Sequence, residues 1–116
     1  MRDQFDQPHG ALLERVRAIP VDVLAKQWEP KYRWYFVAGA ADYLRNGTDR
    51  ILQNFDAYQN DRDTFREVIA ISAESWIKDF TPSGWVEPIR KPVGYVSQEL
   101  CREVADAVTA ALFDRA

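Results

Sequence analysis

The run from Trp28 to Leu44 constrains the fold of this chain more than any other stretch. It contains six of the fifteen Trp, Tyr and Phe residues, and between Arg33 and Asp42 no charged residue occurs. A segment that is apolar on nearly every side must be covered by the rest of the protein or by a partner. We therefore predict that this run lies at the centre of the hydrophobic core.

The composition is that of an ordinary globular protein. The 116 residues are 47% hydrophobic and 28% charged, which fits one domain over 1–116 and argues against disorder. The formal net charge of −3 disfavours a nucleic-acid binder that relies on the charge of the whole domain.

The start of the chain is polar and resembles no secretion signal, and no apolar stretch is long enough to span a bilayer. The single cysteine, Cys101, allows no disulfide within the chain. We therefore expect a cytoplasmic protein with no membrane partner.

Hydrophobic residues recur at helical spacing along most of the chain. The sequence therefore predicts an all-α fold, a compact single-domain bundle of five or six helices. The predicted helices cover 8–18, 21–28, 30–45, 49–59, 64–80 and the residues that follow Ser97.

Punctuating residues set the expected helix ends. Pro30 should open the central helix, and Asn46-Gly47 should end it in a left-handed C-cap. Thr64 and Glu67 fit a capping box, and Ser97 fits an N-cap. Because Tyr, Trp, Phe and Val also favour strands, a strand over 32–37 remains the alternative to the helix.

Seven side chains are expected to be buried in this bundle. We expect the small residues 39–41 to mark the closest approach of a neighbouring helix. The seven are Tyr35, Phe36, Ala40, Ile69, Trp76, Val104 and Val108.

One long segment, 81–96, contains three prolines and two glycines and cannot be a helix. Loops of this length are uncommon in compact domains and often functional. The segment either packs over the helices as an extended arm or forms a small β-hairpin between 85–87 and 93–95. Its side chains include the residue types that favour interfaces, and the predicted binding residues are Trp85, Ile89, Arg90, Lys91 and Tyr95.

Catalytic motifs are sparse. His9 is the only histidine, which rules out a histidine-based metal cluster, and Cys101 is expected to be a small core residue. The pair Glu103 and Asp106 resembles half of the acidic helix pairs that hold magnesium in all-helical nucleotide pyrophosphohydrolases, but the second Glu-x-x-Glu helix is missing. The acidic stripe Asp63, Glu67 and Glu74 has the spacing of a solvated helix face. A metal-dependent helical hydrolase is the remaining enzyme hypothesis, and we expect neither catalysis nor a cofactor.

The first alternative, ahead of the hydrolase, is a helical subunit that associates with nucleic acid through local arginine patches. Aromatic and basic side chains together can hold bases and phosphates. Each patch, however, has acidic neighbours such as Asp49, Asp61 and Glu87. The basic residues concerned are Arg45, Arg50, Arg62, Arg66, Arg90 and Lys91.

The sequence thus favours a small non-catalytic protein-binding domain, of the kind found in inhibitors, immunity or anti-defence factors and assembly subunits. Such a domain would act through a surface that contains aromatic residues and arginine. The expected partner is another protein or a second copy of this chain.

Overall fold

A computed structural model describes residues 2–80 and 96–114. Within these residues the fold is all-α, as predicted, and contains no strand, so the strand alternative for 32–37 is wrong. The six helices are α1 (Arg2–Arg17), α2 (Val21–Trp28), α3 (Trp34–Asn46), α4 (Thr48–Tyr58), α5 (Arg62–Asp79) and α6 (Gln98–Phe113).

α5 and α6 form the most extensive helix pair and run antiparallel. Polar contacts join them along their length: Arg62 pairs with Asp114, Arg66 with Asp106, and Gln98 donates to Glu74. Because the helices are antiparallel, the end of α5 and the beginning of α6 lie at the same end of the pair. Both attachment points of the segment 81–95 are therefore at that end.

The other helices cover the α5–α6 pair. α3 packs against α5, α2 against α3, and α1 against α6 and α4. Six of the seven side chains expected in the core are buried, and Trp76 is only half-buried because one edge of its indole faces a surface cleft.

α5 passes very close to Gly39 of α3, as the run of small residues predicted. A Cβ built on Gly39 would lie 3.3 Å from both Cα and Cγ2 of Ile77. This is tighter than most real Cβ contacts, so a methyl group at this position would require Ile77 to shift by a few tenths of an ångström.

The central helix begins four residues later than expected. Pro30 lies in a turn after α2, where the amides of Lys31 and Tyr32 donate to the carbonyl oxygen of Trp28, at 2.9 Å in each case. Proline is common just after a helix C-terminus because it cannot continue the helix. The turn 29–33 is also held to α6 by side-chain contacts that the local sequence does not reveal.

Two predicted caps are also wrong. Gly47 has φ −93°, so α3 does not end in a left-handed C-cap. At the start of α5, Asp61 replaces the predicted capping box, since its carboxylate accepts from the amide of Thr64 at 3.1 Å. The Thr64 hydroxyl donates to the same carboxylate, and the two hydrogen bonds hold the pKa of Asp61 below its ordinary value. Ser97 does cap α6, as predicted.

Among the described residues, none of the helices combines the length and apolar character that crossing a membrane would require. The predicted arm or hairpin within 81–96 lies outside the described residues, except for Val96, which is buried.

Candidate functional site

The predicted binding residues Trp85, Ile89, Arg90, Lys91 and Tyr95 all lie outside the described residues. The structure does describe the surface from which their segment departs. Phe80, the last described residue before it, lines a cleft of about 360 Å³. We call this the Trp76 cleft, and its lining consists of Asp42, Arg50, Ser75, Trp76, Asp79 and Phe80.

The indole of Trp76 is held in place by Asp42 and Tyr43. Its Nε1–H donates to Oδ2 of Asp42 at 2.8 Å, and the other carboxylate oxygen of Asp42 accepts from Asn46 at 2.6 Å. The ring of Tyr43 meets the indole edge-on, with 5.6 Å between ring centroids. Trp76 is thus a partly exposed aromatic side chain that is already held in one orientation.

Tyr43 is itself anchored in the core. Its hydroxyl donates to Oγ of Ser72 at 3.0 Å, and burial raises its pKa to about 12. The phenol therefore stays neutral and keeps its donor role at physiological pH, which supports the position of the Trp76 ring.

Arg50 also contacts the indole. Its guanidinium carbon lies 5.3 Å from the Trp76 ring centroid, within the range of a cation–π contact. Asp42 and Asp79 line the same cleft, yet within residues 10–80 and 96–114 no carboxylate forms an ion pair with Arg50.

The other arginines proposed from the helical part of the sequence are engaged within the fold. Arg45 pairs with Asp22, Arg62 with Asp114 and Arg66 with Asp106. A phosphate backbone would have to compete with these three carboxylates for the arginines.

A second polar cluster centres on Glu103 of α6. Its carboxylate accepts from Trp28 Nε1 at 3.0 Å, from the Tyr32 hydroxyl at 2.6 Å and from Lys31 Nζ at 3.3 Å. Partial burial alone would raise the pKa of Glu103, but the hydrogen bonds from these donors outweigh it and lower the pKa. Burial and the bond to Glu103 raise the pKa of Tyr32 to about 12.

The Glu103 cluster uses the carboxylate that sequence reasoning had compared with a magnesium ligand. This carboxylate accepts hydrogen bonds from Trp28, Lys31 and Tyr32, and these contacts tie the turn 29–33 to α6. Across the described residues, no group of three or more His, Cys, Asp or Glu side chains is arranged to hold a metal ion.

Cys101 is fully buried, and burial, with a smaller contribution from Glu74, raises the pKa of its thiol to about 11. The thiolate is the nucleophilic form of cysteine, and the raised pKa disfavours that form of Cys101. Cys101 is thus a core residue, as predicted from the sequence.

Comparison with known proteins gave no match to a protein-family model, to a curated protein or to a solved structure. Evidence on function therefore comes from the residues themselves.

Proposed function

We propose that this chain is a small protein-binding domain whose binding surface is centred on the Trp76 cleft. The observation that carries the proposal is the Arg50–Trp76 stack: a pre-oriented indole beneath a guanidinium that has no carboxylate partner among the described residues. Tryptophan and arginine are the residues that most often dominate the binding energy of protein interfaces. A side chain that is already fixed loses little entropy on binding.

The stack indicates the chemistry of the partner. The guanidinium can donate several hydrogen bonds in one plane, which suits a carboxylate or backbone carbonyl groups of another protein. The part of Trp76 that remains exposed offers apolar contact beside it.

The position of segment 81–95 supports the same surface. Its first residue follows Phe80 directly, and both of its ends join the same end of the α5–α6 pair. The segment that carries the interface candidates identified from the sequence is therefore joined to the fold at Phe80, which lines the cleft. We propose that Trp85, Ile89, Arg90, Lys91 and Tyr95 extend the same binding surface.

Affinity capture from the native host tests this function. We expect the wild-type chain to retain a protein partner, or to form a larger homo-oligomer by light scattering, and Arg50→Glu to lose that association. Arg102→Glu is the matched control, because Arg102 is exposed on α6 and its replacement by Glu makes the same change of charge.

Both variants should keep the helical circular dichroism of the wild type. Equal association by Arg50→Glu and wild type would contradict the proposal. So would a wild-type chain that stays monomeric and retains no partner.

A further inference from the structure

An apolar groove lies where α1, α2 and α6 meet. It is formed by the end of α1, the beginning of α2 and the second half of α6, and its volume is about 460 Å³. Ile19, Pro20, Leu24, Ala107 and Ala111 contribute to its walls. None of these residues belongs to the Trp76 cleft or to the Glu103 cluster.

Small side chains keep this groove open. Ala107 and Ala111 lie one turn apart on α6, so their methyl groups form one wall without filling the space in front of it. Opposite them, Leu24 is half-buried and Ile19 is buried. The volume is in the range of small-molecule sites, about 300–1,000 Å³.

One charged residue lines the groove. Arg15, near the end of α1, is half-buried, and its Nη1 donates to the carbonyl oxygen of Leu112 at 3.3 Å. A guanidinium has five N–H donors, and this contact uses one of them. No acidic side chain in the described part of the chain forms an ion pair with Arg15.

The acidic residue of α2 and the one that directly follows α6 are engaged elsewhere. Asp22 pairs with Arg45, and Asp114 pairs with Arg62. A half-buried cation beside an apolar surface is stabilised by an anion that also covers that surface. The fold supplies no such anion to Arg15 from the described residues.

We infer that this groove is a binding site for a small amphipathic carboxylic acid, such as a medium-chain fatty acid. The carboxylate accepts hydrogen bonds from the free donors of Arg15, and the hydrocarbon chain lies against Ile19, Leu24, Ala107 and Ala111. The site is separate from the proposed protein-binding surface, so either can exist without the other.

Octanoate is the probe that tests the site, with acetate and 1-octanol as the two partial ligands. Titration of the ¹⁵N-labelled protein should shift the amide signals of residues around the groove, including Ala107 and Ala111, in a saturable manner. Acetate has the charge without the chain, and octanol has the chain without the charge. Each should bind at least about tenfold more weakly than octanoate, since a charge-assisted hydrogen bond and the apolar contact are each worth at least that factor.

Two variants assign the contacts. Arg15→Gln should weaken octanoate binding about tenfold, whereas Arg17→Gln, an exposed arginine at the end of the same helix, should leave it unchanged. Ala111→Leu keeps a good helix former while filling the groove, and it should abolish binding.

The site is refuted if octanoate causes no saturable shifts in the folded wild-type protein. Equal affinity of wild type and Arg15→Gln would also overturn it, as would acetate binding as tightly as octanoate. Binding that persists in folded Ala111→Leu would place the ligand elsewhere and contradict the inference.

Discussion

The Glu103 side chain accepts three hydrogen bonds from distant residues. Its carboxylate receives hydrogen bonds from Trp28, Lys31 and Tyr32, which lie more than 70 residues away in the chain. The indole of Trp28 is only 1% exposed, so its N–H has no access to water as a substitute acceptor. Glu103 therefore both satisfies a buried donor and holds the turn 29–33 against α6.

Replacing Glu103 should destabilise the fold without affecting the helices themselves. Glu103→Ala leaves the Trp28 N–H and the Tyr32 hydroxyl without their acceptor, and we expect a loss of about 1–2 kcal/mol in the free energy of unfolding. Glu99→Ala is the control, because Glu99 is exposed on the same helix. Urea titration followed by tryptophan fluorescence measures both variants, and an equal effect of the two substitutions would contradict this role.

The same contacts predict a pH dependence. Because the folded-state pKa of Glu103 is lowered from 4.5, its contribution is fully present above the unfolded pKa and is lost as the pH falls through the folded one. The stability difference between wild type and Glu103→Gln should therefore be constant near neutral pH and shrink below about pH 4.5. A difference that does not change on acidification would show that the carboxylate charge does not matter.

Cys101 should be chemically inert in the native protein. With a thiol pKa of about 11 against an ordinary 9.0, the thiolate fraction at mild alkaline pH falls on the order of 100-fold, and burial restricts access further. Reaction with a thiol-specific disulfide reagent should therefore be at least that much slower in buffer than in denaturant. Comparable rates in the two conditions would show that the thiol is accessible.

The contact between α3 and α5 depends on Gly39. Inside an exposed helix, replacing glycine by alanine stabilises by up to about 1 kcal/mol. Gly10 of α1 is such a position, because it is exposed and no atom of the described residues lies within 4 Å of a Cβ placed there. At Gly39 the new methyl group would press on the backbone of Ile77. Replacement by alanine at these two glycines should therefore change the stability in opposite directions.

We expect Gly10→Ala to raise the melting temperature and Gly39→Ala to lower it, the latter costing about 1 kcal/mol because overpacking outweighs the gain in helix propensity. Thermal unfolding followed by circular dichroism measures both. If Gly39→Ala were as stabilising as Gly10→Ala, the close approach of the two helices would be wrong.

The sequence predicted the helices better than their ends. The helical spacing of the hydrophobic residues and the overall composition were sufficient to predict the all-α fold, because each helix has an apolar face that must be buried. Pro30, Gly47 and Asp61 show why the boundaries differed. Local signals allow several caps, and tertiary contacts such as those of Glu103 with the turn 29–33 decide among them.

For the molecule as a whole, the Trp76 cleft and the segment 81–95 are proposed to form one surface. The sequence identified Trp76 as a core residue and Arg50 as part of a basic patch, and it could not show that they stack. Their contact depends on the packing of α4 against α5 and on Asp42 from α3. Only the spacing of residues within one helix is visible in a sequence, so a site built from three helices could not be predicted.

The segment 81–95 offers a prediction on the same surface. Arg90→Glu together with Lys91→Glu should weaken partner binding without lowering the melting temperature, since charged side chains outside the core rarely contribute much to stability. If Trp85 is an interface anchor, Trp85→Ala should lower the affinity at an unchanged melting temperature. A lower melting temperature with unchanged affinity would mean that Trp85 pins the segment to the helices.

The salt dependence of that binding separates the classes of partner. Several phosphate contacts would make the affinity fall by orders of magnitude between low and moderate salt, whereas an aromatic-centred protein interface should change little. We expect the weak dependence. A steep fall together with binding to arbitrary DNA or RNA would favour the nucleic-acid alternative.

Site-specific photo-crosslinking in the native host tests the central claim most directly. A photoreactive amino acid at Ser75, an exposed position in the Trp76 cleft, should crosslink the chain to a partner protein or to a second copy of itself. The same group at Asp63, twelve residues earlier on α5 and about 18 Å away along the helix, should give no such product. Equal products from both positions, or a product from Asp63 alone, would contradict a binding surface centred on the cleft.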